Sequence, residues 1–143
     1  MKRDDVIGGA MLLIGLVAIG AFFLFAPNGP ELSYGPVELT GSKITATVVN
    51  GAEVDTIATL IKPGYITVHE SIGEAPGPII GVSGYIEAGE DVSVKVMLSQ
   101  PMTTGLTYIA LLHADNGDER FVVTEDMPVT NGGASVRANV IGP

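Results

Sequence analysis

Apolar and polar positions follow two different rhythms along this chain. From Val6 to Ala26 no charged or polar side chain interrupts the apolar run. A core helix of a soluble protein carries a polar stripe, and this segment has none. As a helix rising about 1.5 Å per residue it would span roughly 31 Å, the thickness of a bilayer's hydrocarbon core. Pro27-Asn28-Gly29-Pro30 then stops any helix. The pattern predicts a single transmembrane helix over 6–26. A cleaved signal peptide fits less well, because its apolar region is only about 7–15 residues long and small residues mark its cut. Lys2 and Arg3 precede the run, and the next basic residue is Lys43. That asymmetry puts residues 1–5 in the cytoplasm and everything beyond the helix outside the cell membrane, as in a signal-anchor protein.

Residues 27–36 form a Pro/Gly linker that Pro27, Pro30 and Pro36 stiffen. From 37 to 143 the rhythm changes to short apolar or alternating runs parted by turn signals. Val92, Val94, Val96 and Leu98 alternate with Ser93, Lys95, Met97 and Ser99, the signature of a half-buried strand. Further strands are expected at Ile44–Val49, ahead of the hairpin dipeptide Asn50-Gly51, and at Thr56–Ile61, ahead of Lys62-Pro63-Gly64. In Tyr65–Ser71, Ile66 and Val68 share one face, and Thr67 and His69 the other. Ile79–Val82 follows a Pro-Gly-Pro segment that reads as a loop. Leu106–Leu112 is apolar on both faces, as in a central strand. A turn at Asp115–Asp118 leads into Arg120–Thr124, and Val136, Ala138 and Val140 alternate in a last strand. About eight strands at spacings near 10 residues, with no helical period among them, predict an antiparallel β-sandwich of the Ig-like or fibronectin-like kind. Leu106–Leu112 and Arg120–Thr124 are expected to pair as its F–G hairpin.

Composition changes this picture in three ways. The chain has 143 residues and a net charge of −9, from 16 acidic against 7 basic residues. Lys2, Arg3, Asp4 and Asp5 cancel, so the whole excess of negative charge lies beyond the helix, which suits a salty or cation-rich exterior. So few basic residues exclude nucleic-acid binding, which depends on a cationic footprint. Zero cysteine excludes disulfides, thiolate nucleophiles, a lipoprotein anchor, zinc knuckles, iron–sulfur clusters and mononuclear blue-copper sites.

The ordered residues also resemble a known family. GYITVHESIGEAPGPIIGVSGYIEAGEDVSVKV followed by LTYIALLHADNGDERFVVTEDMPV is similar to an uncharacterised extracellular β-sandwich domain, a domain of unknown function, of archaeal surface proteins. The matching positions are Val68-His69, Ile80-Gly81-Val82-Ser83, Tyr85-Ile86, Gly89, His113-Ala114-Asp115 and Asp126-Met127-Pro128-Val129. They fall within roughly 45–141. The resemblance implies a surface-exposed β-sandwich without an established activity. An N-terminal helix is a departure, since relatives look like secreted or multi-domain surface proteins.

Candidate chemistry is sparse. His69 and His113 each close a predicted strand, and with Asp115, Glu70 or a methionine they are candidate ligands for Cu or Zn. The plainer reading has each histidine capping a strand end by hydrogen bonding, because no HxH or HxxxH spacing fixes two ligands locally. Alternation places Met97 on the exposed face, and nothing in the sequence gathers it with Met102 and Met127. Asp115-Asn116-Gly117-Asp118-Glu119, assisted by Glu125 or Asp126, is rich in oxygen ligands for Ca, although the EF-hand spacing is absent. Asn-Gly between acids is first of all a turn. Ser83, in Gly81-Val82-Ser83-Gly84, lacks the register of a nucleophile elbow. Tyr85 is the best exposed aromatic contact. Gly8 and Gly15 lie on roughly one helix face and could pack against another helix. These features predict no enzyme and no cofactor, but a non-catalytic structural or accessory subunit of a membrane or surface assembly. Its partners would be the membrane and other surface proteins met through the helix and the sandwich faces. A metal-binding module is the alternative, and a pilin-like filament subunit, which would need leader processing, is a third.

Overall fold

The computed structural model describes residues 35–143, and those residues are all β. The helix expected over 6–26, with Gly8 and Gly15, and the linker as far as residue 34 lie outside the described residues. Among the described residues there are ten strands. β1 (Val37–Glu38) is followed by β2 (Lys43–Asn50), β3 (Glu53–Leu60), β4 (Gly64–Ile72) and β5 (Ala75–Val82). β6 (Gly89–Met97), β7 (Thr107–Ala114), β8 (Val129–Asn131), β9 (Ala134–Ser135) and β10 (Arg137–Ile141) complete them.

Two antiparallel sheets carry the fold, one ordered β2-β3-β6 and the other β10-β7-β4-β5. A small third sheet, β1-β8-β9, includes the parallel pair β1–β8. Alternation explains which residues meet between the main sheets. Ile44, Val54, Ala58, Leu60 and Val96 from one side join Ile66, Val68, Ile80, Ala110, Leu112 and Val140 from the other in a single buried cluster. Thr56 lies on the same face of β3, and its hydroxyl donates to Val94 O at 2.9 Å, so burial leaves it satisfied. Ser93, Lys95 and Met97 of β6 face solvent as their alternation requires.

Two expectations are corrected. Pro76-Gly77-Pro78 is not a loop but part of β5, where the register to β4 shifts on both sides of His69. β5 is an edge strand of its sheet, a position that tolerates residues without an N–H to donate. Arg120–Thr124 is not a strand, and the F–G hairpin expected there does not form. β7 pairs instead with β10 along Arg137↔Leu111 to Ile141↔Thr107. Side-chain oxygens in the intervening segment take the backbone amides that a ladder would need, with Gly117 N donating to Asp115 Oδ2 at 2.8 Å and Arg120 N to Asp118 Oδ1 at 2.9 Å. Such local bonds compete with strand pairing.

Candidate functional site

Strands β4 and β7 lie side by side, so their second faces form one surface pointing away from the main core. The register Tyr65↔His113, Thr67↔Leu111 and His69↔Ile109 places Tyr65, Thr67, His69, Ile109, Leu111 and His113 there. All six are buried, although four of them are polar or titratable. The segment 115–128 reaches over the Tyr65 end. Phe121 packs edge-on against Tyr65 (5.3 Å between centroids) and against His113 (5.4 Å). Tyr85, expected to be an exposed contact, is half-buried and packs edge-on against Tyr65 at 6.0 Å.

Both histidines make the backbone or hydroxyl bonds of the plainer reading, His113 as the penultimate residue of β7. His69 lies inside β4, and the rings of His69 and His113 face each other with centroids 6.3 Å apart and planes 11° from parallel. His69 Nδ1 is 2.7 Å from Gly77 O, and His113 Nδ1 is 2.7 Å from Asp126 O. A carbonyl oxygen only accepts, so each Nδ1 carries the proton and donates it. Each Nε2 is then an acceptor. Thr67 Oγ1 donates to His69 Nε2 at 2.8 Å, whereas His113 Nε2 is buried without a partner. Burial lowers the affinity of both imidazoles for a second proton, and the mutual repulsion of the pair adds to the effect at His113 against the opposing pull of Asp126.

Asp115, the third predicted ligand, turns to a different neighbourhood. Its carboxylate lies with those of Asp118 and Asp126, their oxygens within 4.8 Å of one another. The loop's own bonds engage much of this set. Asp115 Oδ1 accepts from the Tyr65 hydroxyl at 3.2 Å, and Asp115 Oδ2 also accepts from Glu119 N at 3.2 Å. Asp126, fully buried, accepts from Asn116 N at 2.9 Å and from Val122 N at 2.6 Å. Glu125 holds Asn116 Nδ2 at 3.2 Å. Burial and the facing Asp115 carboxylate push the Tyr65 hydroxyl up to about 12, so it stays a donor at any ordinary pH.

The remaining candidates are dispersed. Glu70 accepts from Gln100 Nε2 at 2.9 Å. Met97 is exposed, Met102 belongs to the core and Met127 is half-buried. Ser83 is buried, with its hydroxyl accepting from Ile66 N at 2.9 Å and donating to Gly84 O at 2.8 Å. That hydroxyl ties β4 to the end of β5. Thr67 and the Gly77 carbonyl orient His69, and neither stood out in the sequence. Thr67 was within reach of the alternation, two residues before His69 on the same face; Gly77 was not, because the edge-strand path of Pro76–Pro78 is a tertiary result.

The sequence profile of a domain of unknown function, DUF7282, matches residues 40–141, most of the chain. The chain belongs to the DUF7282 family. It is also 36% identical over 81 residues to cell surface glycoproteins 1 and 2 of Haloarcula hispanica, an alignment covering 55% of this chain. The aligned part amounts to 9% of each glycoprotein, so the chain spans a small fraction of these relatives' length. No solved structure matches the chain. The family match agrees with the resemblance carried by Val68-His69, His113-Ala114-Asp115 and the segments between them.

Proposed function

We propose that this DUF7282 protein is a membrane-anchored surface module, a non-catalytic structural or accessory subunit of a cell-surface assembly. The observation that carries the reading is the likeness of its β domain to parts of cell surface glycoproteins. The uncharged run from Val6 to Ala26 supports an anchor, and Lys2 with Arg3 support an outward-facing β domain. The commitment of Ser83 to backbone partners favours a scaffold over a hydrolase.

A fibronectin-like arrangement accompanies this reading. The orders β2-β3-β6 and β10-β7-β4-β5 correspond to strands A-B-E and G-F-C-C′ of such sandwiches. Tyr108, near the start of β7, accepts at its hydroxyl from Thr103 N at 2.7 Å, in the manner of a tyrosine corner.

Protease protection on intact cells, followed by detergent extraction and size-exclusion chromatography, tests the proposal. The β domain should be cleaved from outside while the chain fractionates with membranes, and the extracted protein should elute with other chains. A clean monomer at every concentration, or release by salt alone, would count against it.

A further inference from the structure

We infer that Asn50 is a modification site, where the chain deamidates with water as co-reactant and leaves isoaspartate in the β2–β3 turn. This stands apart from the surface-module reading and rests on other observations. Asparagine followed by glycine is prone to this chemistry, because a residue without Cβ lets the backbone approach closely. The described residues hold three such pairs, Asn50-Gly51, Asn116-Gly117 and Asn131-Gly132, and all three asparagines are exposed. Exposure therefore does not rank them. Their hydrogen bonds do.

In the reaction the glycine N loses its proton to a solvent base and attacks the asparagine Cγ. The Cγ–Nδ2 bond breaks, Nδ2 takes up a proton and leaves as ammonia, and a succinimide ring remains. Water then opens the ring at either carbonyl, giving aspartate or isoaspartate. Ring closure needs an available glycine N–H and an unheld Nδ2, and a donor on Oδ1 stabilises the charge that develops there. At Asn131, Gly132 N donates to Glu38 Oε2 at 2.6 Å and Asn131 Nδ2 to Ser42 O at 3.0 Å. At Asn116, Gly117 N donates to Asp115 Oδ2 at 2.8 Å and Asn116 Nδ2 to Glu125 Oε1 at 3.2 Å. Both rings can close only by breaking a charge-assisted bond to a carboxylate. At Asn50, neither Gly51 N nor Asn50 Nδ2 has an acceptor among the described residues. Ala52 N donates to Asn50 Oδ1 at 2.8 Å, which folds the side chain back along the turn and places a donor on the oxygen that gains charge. Asn116 has such a donor in Asp118 N at 3.2 Å but lacks the other two conditions. The product has a longer main chain and one more carboxylate. Gly51 O and Ala52 O accept from Met102 N at 2.7 Å and Leu98 N at 3.0 Å, so the change loosens the hold of this turn on the segment after β6.

The test ages the full chain in detergent micelles at mildly alkaline pH. Proteolysis and mass spectrometry then follow each asparagine, with electron-transfer fragmentation separating isoaspartate from aspartate. Asn50 should convert at least tenfold faster than Asn116 and Asn131, mostly to isoaspartate, and the spread should collapse in concentrated urea. Asn28-Gly29 lies outside the described residues and takes no part in the ranking. Gly51→Ala should slow Asn50 about tenfold by crowding the attacking nitrogen. The fold accommodates it, since φ at Gly51 lies outside the left-handed region and a Cβ there meets nothing nearer than Met102 N at 4.0 Å. Glu38→Ala strips the acceptor from Gly132 N and should speed Asn131 while leaving Asn50 unchanged. Native Asn116 or Asn131 converting as fast as Asn50 would overturn the site. So would a spread that persists in urea, an Asn50 rate unmoved by Gly51→Ala, or aspartate formed without isoaspartate.

Discussion

The two faces of β4 and β7 are equally buried and built on opposite principles. Toward the other sheet stand Ile66, Val68, Ala110 and Leu112, held by exclusion of water from aliphatic surface. On the far face Thr67, His69 and His113 are interspersed with Tyr65, Ile109 and Leu111, and the polar groups there depend on hydrogen bonds drawn from other segments. The inner face needs only the right volume. The outer face needs particular partners in particular places, so it can be broken by changes that leave its packing intact.

The inner face should give the largest loss. Leu112→Ala removes a side chain that is 1% exposed in the centre of the core. A loss of about 2–5 kcal/mol is expected, as for other buried leucines. Chemical denaturation checks it, and a cost below about 1 kcal/mol would mean the sheets can collapse onto the cavity. Next comes Asp126→Ala, which attacks the outer face through its covering loop. It strips the acceptor from Asn116 N and Val122 N, and bonds to a charged group are worth about 1.5–3 kcal/mol. The loss should be accompanied by faster amide exchange across 115–128, while Leu112→Ala should loosen the whole domain. If both variants loosen the same amides, the two faces are one cooperative unit. A smaller effect is expected at Tyr108, the polar end of the inner face. Tyr108→Phe deletes the acceptor for Thr103 N and should cost about 0.5–1.5 kcal/mol with the core otherwise intact.

The same division decides what could be read in advance. Inner-face positions announce themselves by alternation, as Val92, Val94 and Val96 do, because a period of two needs no knowledge of distant residues. The outer face offers no such signal. Whether Thr67 and His69 face water or protein depends on chain far from β4, and Arg120–Thr124 resembles a strand in composition. The competing oxygens of Asp115, Asn116, Asp118 and Asp126 take amides along that stretch and turn it into a cover. The two histidines were singled out as residue types, but their shared face follows from the β4–β7 register. The pairing of Asp115 with Asp118 and Asp126 likewise required the path of the loop.

The gentlest perturbation moves only protons. Burial first, and mutual repulsion at His113 as well, hold both imidazoles below their ordinary titration range. A group whose pKa is lowered by folding binds protons more readily in the unfolded chain, so stability rises with pH across that interval. The histidine contribution is therefore complete above about pH 6.5, the unfolded value, and declines as the pH falls below it. With a chelator present to keep the chain metal-free, the melting temperature should fall between about pH 6.5 and 5, before most carboxylates titrate. Protection factors at 115–128 should drop ahead of those at Ile66 and Leu112, because a proton on His69 Nε2 displaces the Thr67 hydroxyl and one on His113 Nε2 finds no acceptor. His113→Gln cannot acquire that charge and should flatten the slope. A slope unchanged by that substitution would mean that other groups titrate across the interval and that the outer face tolerates charge better than its hydrogen bonding implies.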